Sequence, residues 1–153
     1  MRLLIAAIGR ARQGPEAALI ETYAARLTVW RLTVRELEVR KRLSGPERTA
    51  AEGALLRDAM PPGARVVALD ERGRDLSSAG LAERLRGWQD DGVGDAAFLI
   101  GGADGLDEGI RARADLTLAF GRQTWPHLMV RAMLAEQLYR AQQIVAGHPY
   151  HRE

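Results

Sequence analysis

The chain has 153 residues, 46% hydrophobic and 27% charged. That is one ordinary domain, long enough to bury roughly 70% of its unfolded surface without staples. Cysteine is absent, which excludes disulfides, thiolate zinc sites and thiol catalysis. No run approaches the ~18 consecutive apolar residues of a membrane span, and no signal-peptide pattern opens the chain, so a soluble, cytoplasmic protein is expected.

Charge is uneven. Residues 1–48 carry ten Lys and Arg against five Asp and Glu, residues 49–115 eight against thirteen, and residues 116–153 four against two. Of the 22 basic residues only Lys41 is not Arg. The guanidinium fork suits phosphate and stacks on bases, so an Arg-rich first third is compatible with RNA contact; a plain compositional bias is the alternative.

Taken in order, Arg2–Ile8 is a compact apolar run ending at Gly9, as expected of a buried strand. Pro15 opens a helix carrying Ala17, Leu19, Ile20, Tyr23 and Leu27 at helical spacing. Val29–Val39 alternates like a half-exposed edge or second strand. Arg40–Pro46 is a basic, exposed loop, and a helix from Glu47 to Met60 stops at Pro61-Pro62-Gly63. Arg65–Asp70 is a buried strand, Ser77–Gln89 a helix capped by Ser77 or Ser78, Ala96–Ile100 a fourth strand and Asp115–Phe120 a fifth. The last helix, Leu128–Val145, places Val130, Leu134, Leu138, Ala141 and Val145 on one face. Met133 and Ile144 form a second stripe, with room for a homodimer contact. Arg131, Glu136, Gln137 and Arg140 are expected on its surface. Apolar strands alternating with helices predict a single α/β domain, residues 1–153, its mainly parallel sheet covered by helices on both faces.

Ligands of such sheets bind at the carboxyl ends of strands. Three ends qualify: Leu69-Asp70 with Glu71-Arg72-Gly73, the loop Gly101–Leu106, and Phe120–His127. Glycines there either let backbone groups approach a ligand or serve a tight turn. G-x-G-x-x-G, Walker A and G-x-S-x-G motifs are absent. All three histidines fall late, as His127, His148 and His151. His148-x-x-His151 beside Glu153 reads weakly as a metal site, since a terminal tail lacks the second shell that ligation needs. The run 147–153, with an imidazole, a phenol and a guanidinium, has the chemistry to stack on bases and move protons.

Thr124-Trp125-Pro126-His127, Val130-Arg131, Glu136–Ala141 and His148–Glu153 closely resemble the ribosomal RNA large subunit methyltransferase H family, of the SPOUT class. Phe98–Leu106, Met1–Gly9 and Leu69-Asp70 fit the same family, so the resemblance spans the whole length. It implies an α/β fold whose C-terminal part forms a trefoil knot, an arrangement no chain-patterning rule predicts. It also implies a homodimer, S-adenosylmethionine as methyl donor, and methylation at N3 of a pseudouridine in 23S rRNA of the assembled ribosome, with no metal. By the same resemblance Leu69, Gly102 and Gly121-Arg122-Gln123-Thr124-Trp125-Pro126 hold the cofactor. His127, Arg131, Arg140, Tyr150, His151 and Arg152 serve the substrate: His151, Tyr150 and His127 are candidate proton acceptors, His151 favoured, and Arg131, Arg140 and Arg152 bind RNA. Gly121 stands where the family commonly carries Ser, and Trp125 where Leu or Phe is usual. Two rivals predict different behaviour: a non-catalytic RNA-binding factor would bind RNA in a salt-sensitive way without the cofactor, and a metal-dependent hydrolase using His148 and His151 would be lost to chelators.

Overall fold

A computed structural model of the chain describes residues 1–150. Ten elements follow in order: β1 (Arg2–Ile8), α1 (Pro15–Arg26), β2 (Arg31–Leu37), α2 (Gly45–Ala59), β3 (Arg65–Asp75), α3 (Ser78–Asp90), β4 (Asp95–Ile100), α4 (Glu108–Arg113), β5 (Leu116–Ala119) and α5 (His127–Val145). The strands form one sheet in the order β2-β1-β4-β3-β5, and every pairing is parallel. The α/β architecture expected from the sequence is therefore the one observed. No helix among the described residues is long and apolar enough to cross a membrane.

Strand side chains alternate between two faces, and both faces are dry. Leu3, Ile5 and Ala7 of β1 join Leu85, Trp88, Leu134 and Leu138 under α1, α3 and α5. Leu4, Ala6 and Ile8 join Leu56, Ala59 and Ile110 under α2 and α4. Burial on both sides explains why β1 and β4 read as unbroken apolar runs, while the edge strand β2 alternates. The connection from β3 leaves toward α3 on one face, and that from β4 toward α4 on the other. A crevice opens where neighbouring connections diverge in this way.

Several boundaries differ from expectation, each for a physical reason. β2 is shorter than Val29–Val39 because Trp30 turns inward and is 1% exposed. The Gln142 side-chain oxygen accepts from the backbone N–H groups of Val29 and Trp30, each at 3.0 Å. α2 begins at Gly45, with Pro46 in its first turn, where a missing N–H costs nothing. Ser77 caps α3, accepting from the Gly80 N–H at 3.1 Å. β3 runs on past Asp70 after a bulge, since Leu69 and Arg74 both pair with Leu118. The extra residues loop outward, and Gly73 fits only without a side chain: a Cβ would stand 2.7 Å from the backbone of Thr117 and Leu118. The short helix α4 was not legible, because Ile110 is its only buried residue and a single apolar position carries no period.

Candidate functional site

The carboxyl ends of β3, β4 and β5 enclose a cleft of about 380 Å³. Its apolar wall comes from Leu69, Ile100, Leu106 and Leu118, and its polar rim from Asp70, Glu71, Asp104, Gln123 and Thr124. All three strand ends singled out from the sequence meet there. Of the expected cofactor-binding residues, Leu69, Gly102, Gly121, Gln123, Thr124 and Trp125 line the cleft. Arg122 and Pro126 are exposed on the same loop but are not among its lining residues; Pro126 instead caps α5. His127, the first residue of α5, also faces the cleft.

The glycine loop after β4 is folded back on itself. Gly105 N–H donates to the Gly102 carbonyl at 3.1 Å, so the two segments lie almost in contact. A Cβ on Gly101 would stand 2.5 Å from the Gly105 oxygen, and one on Gly102 would stand 2.7 Å from Glu52 Oε2. The glycines are thus required by close approach of the chain to itself, which is the tight-turn reading.

Beneath this loop lies a residue that sequence reasoning missed. Glu52 of α2 is buried, with Oε2 lacking a hydrogen-bond partner among the described residues. Burial holds its carboxyl above the usual range, against the pull of Arg48. The adjacent Gly53 was the available signal: a glycine in mid-helix marks close packing, and here a Cβ would stand 2.7 Å from the Asp107 side chain. Arg57 completes the seam with a 2.8 Å ion pair to Asp107.

Asp70 projects at the end of the β3 apolar run, yet its carboxylate is already engaged. It accepts from Arg72 N–H at 2.9 Å and from the Arg72 guanidinium at 3.0 and 3.1 Å. Arg111 adds a longer contact at 3.4 Å. The Arg72 hydrogen bond is the main reason that Asp70 sits below the ordinary carboxylate range. On the opposite wall, Trp125 Nε1–H donates to the Phe120 carbonyl at 3.0 Å and closes the loop over itself. Gly121 within that loop has φ +84°, a left-handed conformation that suits glycine.

Arg131 requires correction. It was expected on the surface with an RNA-binding role, but its side chain is fully buried. Its guanidinium donates to the Ile8 and Gly9 carbonyls at 2.5 and 3.0 Å and to Glu36 Oε1 at 3.0 Å. Burial pushes its pKa down, opposed by Glu36. An arginine one helical turn from His127 looks solvent-facing by spacing alone; the carbonyls that exhaust β1 draw it inward instead.

Arg140 and Tyr150 meet at the far end of α5. Glu136 Oε1 accepts from Arg140 Nε at 3.0 Å and Nη2 at 2.5 Å, and from the Tyr150 hydroxyl at 3.3 Å. The Arg140 guanidinium lies 4.9 Å from the Tyr150 ring centroid, and Tyr139 meets the same ring edge-on at 4.8 Å. The Tyr150 hydroxyl is pushed up to about 12, first by burial and then by its surroundings at Tyr23 and Glu136. Such a phenol stays protonated near neutrality, which argues against Tyr150 as the base and leaves it a hydrogen-bond donor. His148 is exposed, and its Nδ1 accepts from Tyr150 N–H at 3.2 Å. His151 and Arg152 lie outside the described residues.

Among the described residues of one chain, the two ends of α5 that carry expected substrate residues are not brought together. His127 and Arg140 stand thirteen residues apart on α5, about 20 Å along the axis. Among the described residues no group of three or more His, Asp or Glu side chains is placed to hold a metal ion.

Comparison with known proteins identifies the family. The family described as "Predicted SPOUT methyltransferase" matches residues 1–151. Ribosomal RNA large subunit methyltransferase H of Rhodospirillum centenum is 60% identical over 152 residues, covering 99% of both chains. Its counterpart in Paramagnetospirillum magneticum is 56% identical over 152 residues, again covering 99% of both. Among solved structures, a probable methylase family protein from Haemophilus influenzae Rd KW20 shares the fold, with a TM-score of 0.62 over 99% of this chain and 70% of that one, at 14% identity. The chain therefore belongs to the SPOUT methyltransferase family, alongside the ribosomal RNA large subunit methyltransferase H proteins.

Proposed function

We propose that this protein is a cytoplasmic S-adenosylmethionine-dependent methyltransferase that methylates N3 of a pseudouridine in 23S rRNA of the assembled ribosome. The observation that carries the reading is the convergence of the three strand ends on one cleft in a chain 60% identical to a large-subunit rRNA methyltransferase. The cleft suits the cofactor's chemistry. An apolar wall formed by Leu69, Leu106 and Leu118 accepts a purine face, and the backbone groups of Gly102 and Gly121–Trp125 can read its polar edges. The sulfonium supplies an electrophilic methyl group. In the family's knotted arrangement, which we extend to residues 1–153 as one domain, the loop Phe120–Pro126 wraps the cofactor.

The chain's own residues then orient the acceptor and manage one proton. N3 of the base must lose its proton as the N–C bond forms and the donor's S–C bond breaks, the electron pair of the latter staying on sulfur as a neutral thioether. We assign that proton to His151, with His127 beside the cleft as the alternative, because neutral imidazole suits proton transfer near neutral pH. Tyr150 donates a hydrogen bond, and Arg140 and Arg152 hold phosphate or base. Alignment of the two reactants supplies much of the rate.

We further propose a homodimer with a composite site. A groove of about 830 Å³ between α1 and α5 is lined by Leu19, Tyr23, Leu76, Met129 and Met133. Leu19 and Met129 are 47% and 39% exposed. Antiparallel apposition of two α5 helices across this groove would carry the Arg140–Tyr150 end of one protomer to the His127 end of its partner. The segment 147–153 would thereby complete the partner's site.

Mixing experiments test this arrangement. A chain lacking 147–153 is combined with a full-length chain carrying Gly102→Val. Methylation restored in the mixture supports the composite site; two inactive chains that stay inactive as a confirmed heterodimer contradict it.

A further inference from the structure

A parallel sheet sends every strand's carboxyl end to the same rim. The loops that leave β1 and β2 therefore stand beside the cofactor cleft, although the cleft is built only by β3, β4 and β5. β1 neighbours β4 and β2 neighbours β1, so these loops start one and two strand spacings from the strand that carries the glycine loop.

Both loops are cationic, and all their cations but Arg10 are idle. Arg12, Arg40, Lys41 and Arg42 are exposed and make no ion pair or side-chain hydrogen bond among the described residues. Some other arginines are engaged, Arg2, Arg57, Arg65 and Arg72 each pairing with an aspartate within 3.0 Å. Arg12, Arg40, Lys41 and Arg42 are set apart by sharing two neighbouring loops, joined by the Gly9 N–H to Leu37 carbonyl bond at 2.8 Å. Carboxylates also stand near the rim, but none pairs with these four cations among the described residues. Glu36 is turned toward Arg131, Glu38 pairs loosely with Arg10 at 3.7 Å, Glu47 is exposed in the first turn of α2, and Glu71 and Asp104 line the cleft. Four unpaired cations side by side repel one another, a cost that an arriving polyanion would remove.

The first of these loops is also fixed in place. Glu36 Oε1 accepts from Ala11 N–H at 2.8 Å and from Arg131 at 3.0 Å. Arg131 in turn grips the Gly9 carbonyl at 3.0 Å. The loop carrying Arg12 is thus tied to α5 one turn from His127, so an anion held there has a defined register to the cleft.

We propose that Arg12, Arg40, Lys41 and Arg42 form a phosphate-binding platform that carries the RNA backbone past the cofactor cleft. The proposal rests on the RNA methyltransferase reading and adds to it the surface that docks the substrate. The guanidinium fork matches phosphate and carboxylate oxygens alike; RNA is assigned as the occupant because the proposed substrate beside this rim is an RNA.

The test compares wild type with a chain carrying Arg12→Ala, Arg40→Ala, Lys41→Ala and Arg42→Ala, and with the corresponding four Gln substitutions. Binding to protein-free large-subunit rRNA is followed against KCl concentration, methyl transfer against ribosomal particles lacking the modification, and cofactor binding by calorimetry. We expect the slope of log K against log salt to flatten by about 3, from roughly 0.7–0.9 per lost contact. KM for the particles should rise about tenfold or more with kcat within about twofold, the pattern of lost substrate binding. Cofactor affinity should not move. Unchanged slope and KM in both variants overturn the platform. A KM defect on particles, with protein-free RNA bound equally by wild type and variants, assigns the rim to a ribosomal protein and overturns the RNA contact. Salt-dependent RNA binding that the variants lose, in a wild type that transfers no methyl group, supports the platform while contradicting the methyltransferase reading. Absence of both RNA binding and methyl transfer in the wild type overturns both.

Discussion

Arg131 Nη1 stands 3.0 Å from Glu36 Oε1 across 95 residues of sequence, joining the last helix to the ends of the first two strands. The same guanidinium grips the Ile8 and Gly9 carbonyls, so one side chain donates to three acceptors from two strand ends. Arg131→Met removes the cation and leaves those acceptors without it. We expect a loss of about 2–3 kcal/mol by urea denaturation. Arg131→Lys should recover only part of it, because an ammonium cannot reproduce the planar fork. Wild-type stability in Arg131→Met would contradict the role as a structural clamp.

The glycine loop makes a sharper prediction about binding. Gly101→Ala places a methyl group where Gly105 O stands 2.5 Å away, so the loop must open. Cofactor affinity measured by calorimetry should fall about tenfold or more, equivalent to about 1.4 kcal/mol. Gly87→Ala, with open space around its Cβ and a mid-helix position, should leave affinity unchanged and raise stability by about 0.5–1 kcal/mol.

Acid stability tests Asp70. Its pKa is depressed in the fold, chiefly by Arg72. The stabilisation is therefore complete above the unfolded carboxylate value and is lost as pH falls through the lower folded one. Asp70→Asn should lower Tm at pH 7 and flatten its dependence below about pH 4. A Tm difference that persists unchanged at the lowest pH would show that the carboxylate charge is not the cause. Glu52 has the opposite sign: its raised pKa means that ionisation opposes folding, so Glu52→Gln should gain more at pH 7 than at pH 4.

Tyr150 separates donor from base. With its hydroxyl pushed up to about 12, no phenolate is available near neutrality. Tyr150→Phe should lower kcat by less than about tenfold and leave the shape of the pH–rate profile unchanged. Disappearance of the rising, acid-side limb in that profile would make the phenol the proton acceptor after all.

Much of this was legible in the sequence because burial on both faces leaves a plain mark. The runs of β1, β3 and β4 are apolar without interruption, and the glycines at their ends mark where backbone must come close. The cleft-lining residues Leu69, Gly102 and Gly121 are pointed to both by strand ends and by family resemblance. What escaped notice depends on long-range partners. Arg131 and Gln142 are polar residues on α5 whose burial is decided by carbonyls and N–H groups some 110 to 120 residues earlier. Glu52 looks like any exposed helical glutamate until α2 is laid against the glycine loop. The bulge after Leu69 likewise has no local signature beyond Gly73, since the collision it avoids is with β5.

The central claim is methyl transfer from S-adenosylmethionine to large-subunit rRNA. Ribosomes lacking the modification are incubated with the purified protein and methyl-labelled cofactor, and the rRNA is digested and analysed by mass spectrometry. The account predicts one added methyl group per large subunit, on N3 of a pseudouridine, abolished by removal of residues 147–153 while cofactor binding is retained. Label that stays on the cofactor, or a truncated chain that transfers as well as the full one, would contradict it.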